Sequence, residues 1–272
     1  MGRFWSILFL LVPILGVAVF VVCMNADSGP LHGHWFPDDI SSTGYVIDNL
    51  FYTIMYLTGF IFVATGIALF WFLWKYDAAK SPSPVKFMHG SHTLEVVWSI
   101  LPAASLLFIA IYQMNAWADA KILRPANADG TLKPPIAEVM GRQFEWRIRY
   151  AGPDGQIGTE DDIHTVNDLH LPLEEDVVLQ IKSMDVLHSF FLPNVRVKQD
   201  LVPGMKQYVW FRPTRSGDYD IVCAELCGWG HYKMKGRMTV ESRSEFDKWL
   251  VKTRQENQQA SFAKPAEEEG EE

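Results

Sequence analysis

The run FYTIMYLTGFIFVATGIALFWFLW, residues 51–74, contains no acidic or basic side chain. It is long enough as a helix to cross a hydrocarbon layer of roughly 30 Å. Its ends are aromatic, as residues at a membrane interface tend to be. A second such run spans about Leu94 to Trp117, and the segment between them carries Lys75, Lys80 and Lys86 with Pro82 and Pro84. Positive charge in a short loop marks the cytoplasmic side, so residues 50–117 read as a helical hairpin and the chain after Trp117 lies outside. Upstream, Phe4–Cys23 is a third uncharged run behind Arg3. It reads either as a transmembrane helix or as a signal peptide spanning residues 1–26, with Met24-Asn25-Ala26 a poor cleavage site.

The 272 residues, 49% of them hydrophobic, are thus unevenly distributed, and a formal net charge of −8 argues against nucleic acid as a partner. Residues 27–49, rich in Gly, Pro, Ser and Asp, form an external connector; His32 and His34 within it read as exposed loop residues. His89 and His92 in the cytoplasmic loop read the same way. Glu95 is unusual, since an ionisable group at the start of a membrane span is costly unless it faces protein, water or headgroups. Either it is a helix-start carboxylate, with Ser91 or Thr93 as the cap, or it marks the mouth of a proton path.

From residue 118 the pattern changes to short alternating runs at 137–143, 144–150, 176–181, 207–211, 218–222 and 236–240. Separated by Gly, Pro and Asp turns, they predict an antiparallel β-sandwich or barrel over residues 118–254. A terminal helix opens near Ser244-Glu-Phe246-Asp247 and carries Trp249 and Leu250 on one face. Residues 255–272 are polar and acidic, hence expected to be disordered. The insert 152–162 reads as a solvated hairpin tip, its spacing unlike that of a calcium loop.

Within this half lies Cys223-Ala-Glu225-Leu-Cys227-Gly-Trp-Gly-His231-Tyr-Lys-Met234, which offers two thiols, an imidazole and a thioether at tight spacing. Soft sulfur donors mixed with imidazole suit copper; a zinc site or a Cys223–Cys227 disulfide would have no use for the methionine. Two cysteines can bridge two metal ions, which calls for a second imidazole. His188 is the candidate, ahead of a Pro193-Asn turn, with His164 and His170 as rivals. The third cysteine, Cys23, reads as an apolar packing residue. No Cys-x-x-Cys-His occurs, so no haem is covalently attached here and an electron donor would be a separate chain.

Five separated motifs carry a family resemblance: the hairpin with Glu95-Val-Val-Trp98-Ser-Ile-Leu-Pro102, then Gly141-Arg-Gln-Phe144-Glu-Trp146, Asp185-Val-Leu-His188-Ser, Lys198-Gln-Asp200-Leu-Val-Pro203-Gly, and the Cys223–Met234 loop. Together, over about residues 50–250, the chain resembles subunit II of cytochrome c oxidase. The resemblance implies a helical hairpin followed by a cupredoxin-like Greek-key β domain. It implies a dinuclear copper centre, CuA, with side-chain ligands His188, Cys223, Cys227, His231 and Met234, and the backbone carbonyl of Glu225. The Glu225 side chain would reach a magnesium or manganese ion shared with subunit I, and Glu95 would stand at a proton-path entrance. Electrons from a cytochrome c would enter near Phe144 and Trp146, and pass to the oxygen-reducing subunit I of a complex that also holds subunit III. The expected setting is the bacterial inner membrane with the copper domain on the periplasmic side. In many relatives the position of Phe144 is tryptophan, so the entry path is in question. Asp154, Glu160, Asp161, Asp162 and Asp185 are candidates to steer a basic donor. The alternatives are a CuA subunit of a nitric oxide reductase and a membrane-anchored copper-binding protein. A quinol oxidase subunit would lack the copper ligands present here.

Overall fold

A computed structural model of the chain describes residues 2–26, 35–77, 87 and 89–262. His32, His34, Lys80, Lys86 and the end of the acidic tail lie outside these residues. The described chain divides into two units, one comprising residues 1–37 and 48–115 and the other residues 38–47 and 116–272.

The first unit is helical. Helix α1 (Gly2–Met24), α2 (Gly44–Lys75, whose first turn belongs to the second unit) and α3 (His92–Tyr112) are each long and apolar enough to cross a membrane. Their apolar side chains, such as Phe60, Leu106 and Phe108, are exposed, as lipid-facing residues must be in a chain taken alone. Helix α2 begins ahead of Leu50, where the second apolar run starts; at 1.5 Å per residue it is about 48 Å long, more than a bilayer core requires. An aromatic cluster gathers near that end. The Trp35 indole donates to the Tyr52 hydroxyl at 3.0 Å, Phe36 stacks on Phe51 and Phe20 meets Trp35 edge-on. At the start of α3, Ser91 is the cap, its hydroxyl accepting from the Leu94 backbone N–H. Glu95 sits in the first turn, exposed, with its carboxylate 3.9 Å from His92 Nδ1. A short helix, α4 (Met114–Lys121), follows.

The second unit is a sandwich of two five-stranded sheets. One has the order β3 (Ile163–Val166), β2 (Glu145–Tyr150), β1 (Ala137–Arg142), β5 (Val177–Ser183), β8 (Gln207–Phe211). The other runs β4 (Asp168–Pro172), β10 (Lys235–Glu241), β9 (Gly217–Cys223), β6 (His188–Leu192), β7 (Val197–Leu201). The expected antiparallel sandwich is found with two exceptions, the parallel pairings of β1 with β5 and of β10 with β4. Parallel neighbours arise because the chain crosses between sheets rather than returning by hairpins. Alternation sends Trp146, Ile148 and Tyr150 of β2 inward to meet Phe190, Ile221 and Met238.

Helix α5 (Arg243–Phe262) closes one end, burying Phe246 and packing Trp249 against Tyr150. Its cap is Ser242 rather than Ser244: the Ser242 hydroxyl accepts from Glu245 N–H while the Glu245 carboxylate accepts from Ser242 N–H. This is the reciprocal capping box of an S-x-x-E sequence. The helix continues through residues 255–262, part of the segment read as a disordered tail. Ile40 of the connector is fully buried in this unit, its N–H donating to Asn194 O and its carbonyl accepting from Thr214 N–H.

The insert 152–162 is a set of turns at the tip of the β2–β3 hairpin, in which Asp154, Asp161 and Asp162 accept hydrogen bonds from within the insert while Glu160 is exposed. Asp162 is buried, accepts from Gly158 N–H at 2.7 Å and lies 3.6 Å from Arg149; Asp161 accepts from Thr159 and from Asp154 N–H. The insert is thus the hairpin tip expected, mostly exposed, with Asp162 the buried exception and so removed from the groups able to steer a partner.

Candidate metal centre

Cys223 ends β9, and the chain then loops through Cys227 into a single tight turn at His231–Lys233 before β10 resumes after Met234. The loop is drawn shut at its base, where Cys223 N–H donates to Met234 O. Next to β9 runs β6, in a register that pairs Phe190 with Cys223 and leaves His188, two residues earlier, beside the loop. Ala224 N–H donates to Ser189 O and fixes that edge.

Four contacts define the centre. The two Sγ atoms are 3.9 Å apart. Cys223 Sγ lies 4.0 Å from His188 Nδ1, Cys227 Sγ lies 3.7 Å from His231 Nδ1, and Met234 Sδ lies 3.8 Å from Cys227 Sγ. Cys223 Sγ also lies 3.2 Å from the Glu225 carbonyl oxygen. Both cysteines are free thiols, at nearly twice the bond length of a disulfide. His188, Cys227 and Met234 are buried, with Cys223, Glu225 and His231 partly so. The side chains of His188, Cys223 and Cys227 bring three donor atoms within 4.8 Å of one another, a cluster that fits copper.

The surrounding groups orient these donors. Asp185 Oδ1 is 2.8 Å from His188 Nε2, which leaves Nδ1 for the sulfur side. The other Asp185 oxygen accepts from Gln143 N–H at 2.8 Å, and the Gln143 side chain donates to the Cys227 carbonyl. One short segment thus ties the histidine to the loop. Gly141 makes room for the imidazole: a Cβ there would lie 2.9 Å from His188 Cδ2. Of these, Gly141 and Gln143 belong to a motif visible in the sequence but carried no assigned role there. Asp185, read as a steering group, is turned inward on the histidine.

Electrostatics pair the first thiol with the imidazole. Burial resists ionisation of Cys223, but hydrogen bonding to His188, to backbone groups at Ser189 and Glu225 and to His231 outweighs it and pulls its pKa down to about 6. Burial, and then the neighbouring Cys223 charge, push Cys227 up. Burial lowers the His188 pKa, and Cys223 and Asp185 more than reverse that, leaving it above its ordinary value.

Of the two rings expected at the electron entry, Phe144 is half-buried against the loop. Trp146 is fully buried, 5.4 Å from Phe190 and 6.3 Å from His188 between ring centroids. Strand alternation turns it into the core, so it offers no surface to a donor. Neither rival histidine joins the cluster. His164 lies on the edge strand β3, and His170 is engaged by carboxylates.

Both halves of the chain match one family. Residues 30–116 match cytochrome c oxidase subunit II, transmembrane domain, and residues 152–242 match cytochrome c oxidase subunit II, periplasmic domain. The alternative cytochrome c oxidase subunit 2 of Bradyrhizobium diazoefficiens is 31% identical over 84% of this chain and 85% of its own length. Cytochrome c oxidase subunit 2 of Thermostichus vulcanus is 27% identical over 92% and 86%. The solved periplasmic domain of the Bradyrhizobium japonicum subunit II matches at 25% identity and a TM-score of 0.40, over 44% of this chain and 93% of that one. The chain, a membrane protein with a periplasmic domain built around a copper-suited cluster, therefore belongs to the cytochrome c oxidase subunit II family, whose members are parts of an oxidoreductase complex.

Proposed function

We propose that this chain is the electron-accepting subunit of a proton-pumping terminal oxidase in a bacterial inner membrane, taking electrons from a cytochrome c and delivering them to subunit I, with subunit III in the same complex. The observation that carries this reading is the pair of sulfurs 3.9 Å apart, each facing its own imidazole. A single metal has no need of that doubled arrangement, whereas a pair of copper ions would draw on both thiols and both imidazoles. When bound, such a pair supplies a one-electron couple. His188, Cys223, Cys227, His231 and Met234 would hold it with their side chains and Glu225 with its carbonyl.

The protein's own part is orientation and exclusion of water. Asp185 selects the His188 nitrogen that meets the metal, as outer hydrogen bonds to ligating histidines do. Burial of Cys227 and Met234 keeps these two sulfurs dry and limits their rearrangement, while Cys223 is partly buried. Glu225, at the loop, is assigned the additional role of reaching a magnesium or manganese ion held with subunit I. Residues 50–117 serve as the anchoring hairpin and 118–254 as the copper domain. Glu95 is assigned to a proton-path entrance, on its position as a carboxylate in the first turn of α3.

Stopped-flow mixing of the copper-loaded full-length chain with reduced cytochrome c should show second-order electron transfer that slows as salt is raised. Absence of transfer from any cytochrome c would refute the reading. In the assembled oxidase, Glu95→Ala should slow turnover when proton uptake limits; unchanged turnover would return Glu95 to a purely structural place at the helix start.

A further inference from the structure

We propose that Trp229 is the residue through which the donor's electron enters the metal centre, and that Phe144 is its buttress; this rests on the electron-accepting reading above. Trp229 stands between Cys227 and His231, two residues from each, so the covalent path from its ring to either ligand is short. The residue is 81% exposed, whereas Phe144 is half-buried and Trp146 wholly buried. Of the aromatic rings around the metal loop, the indole is thus the one that presents the largest free face to a partner.

Phe144 is shaped for support. Its ring meets the Trp229 ring edge-on at 5.1 Å, and a Cβ on Gly230 would fall 2.5 Å from Phe144 Cδ2. The phenyl ring therefore lies directly on the loop backbone, a seat that only glycine at 230 permits. With Gln143 holding the Cys227 carbonyl, the segment before β2 braces the loop that displays the indole.

Leu226 and Tyr232, also in the loop, are 77% and 69% exposed and flank Trp229 in sequence. Three exposed apolar side chains within the twelve-residue loop that supplies most of the ligands are an anomaly for a free surface and suit a docking site. The occupant is the electron-donor protein of the reading above, a cytochrome c. Residues 118–254 carry acidic and basic side chains in near balance, 20 Asp and Glu against 19 Lys and Arg, so the exposed apolar side chains rather than net charge would hold it. In the step itself one electron leaves the donor, which is oxidised, and one arrives at the copper pair, which is reduced. No bond forms or breaks and no proton moves, the indole acting only as the coupling path.

The test uses the assembled oxidase carrying Trp229→Ala, Trp229→Phe or Phe144→Ala. Flash or stopped-flow reduction by cytochrome c should slow by at least about tenfold for Trp229→Ala, the size of loss expected of a docking hot spot, and less for Trp229→Phe. The optical and electron paramagnetic resonance spectra, the copper potential and reduction by a small inorganic reductant should stay at wild-type values. An unchanged rate with cytochrome c overturns the proposal. So does equal slowing with the small reductant, which would mean a damaged centre, or a defect confined to transfer onward to subunit I. A larger, donor-specific loss in Phe144→Ala than in Trp229→Ala would return the entry role to Phe144. Failure of the parent reading looks different: the wild-type chain itself would take no electrons from cytochrome c.

Discussion

Two histidines of the β domain, His188 and His170, are both buried and both hydrogen-bonded to carboxylates, yet their surroundings give them different work. His170 stacks on Trp249 at 3.9 Å and 10° between planes, and both its nitrogens face acids, Glu241 at 2.8 Å and Asp168 at 3.5 Å. Its backbone is held as well, since Tyr150 hydroxyl accepts from His170 N–H and donates to His170 O. Neither nitrogen is left for a metal, and the residue locks α5 onto the sandwich. His188 has one nitrogen on Asp185 and the other turned to sulfur. What separates a structural imidazole from a ligand is the partner of the second nitrogen, not burial.

The sharpest way to break that comparison is to remove each ring. His188→Ala should abolish the two-copper spectrum in a protein whose circular dichroism stays wild-type. His170→Ala should leave the spectrum intact and lower stability by about 2 kcal/mol, from a lost charge-assisted hydrogen bond and a lost ring stack. Denaturant unfolding with copper titration reads both; a copper defect in His170→Ala would erase the distinction.

Gly141→Ala should have a smaller effect on the same site. The added methyl meets His188 at 2.9 Å and must tilt the ring, weakening copper binding by about 10- to 100-fold, as disturbed outer contacts of ligating histidines do. Competition with a copper chelator measures it, and wild-type affinity would show that the ring can yield without cost.

Smallest is the effect of Asp185→Asn on the stability of the metal-free fold. Burial raises the Asp185 pKa, but Gln143 N–H, His188 and Val186 N–H outweigh it and hold the carboxyl below its ordinary value. Its stabilisation is therefore present above the ordinary carboxylate range and lost as pH falls through the lowered value. His188, raised, contributes the opposite way: its share is full below its ordinary value and lost as pH rises through the raised one. The pair thus supports the metal-free fold across at least about pH 4 to 6.5. Within that window thermal unfolding should separate wild type from Asp185→Asn most, and the gap should narrow both as pH falls through the lowered Asp185 value and, in part, as it rises through the raised His188 value. A constant difference at all pH values would contradict the linkage.

The same pair of histidines shows where sequence is informative. The Cys223–Met234 loop is readable because soft donors at tight spacing have few other uses, and His188 because its motif matches a family. Strand β6, which brings His188 to that loop, is five residues with no clear alternation, and β3, β4 and β7 are as short. The parallel pairings depend on long-range register that no local pattern encodes. Ile40 is an isolated apolar residue in a polar connector, and its burial follows from tertiary bonding alone. Trp146 and Phe144 are two residues apart in a motif that suggests a shared role. Strand alternation sends Trp146 into the core, while Phe144 lies just ahead of the strand and is positioned by the loop it supports.

The proposed function stands on the chain holding two copper ions as one electronic unit. Electron paramagnetic resonance of the full-length chain in detergent, loaded with copper and quantified for metal, tests it directly. Two coppers per chain and one unpaired electron shared over two equivalent nuclei are expected. One copper per chain with a single-nucleus spectrum, or a site that takes only zinc, would contradict it.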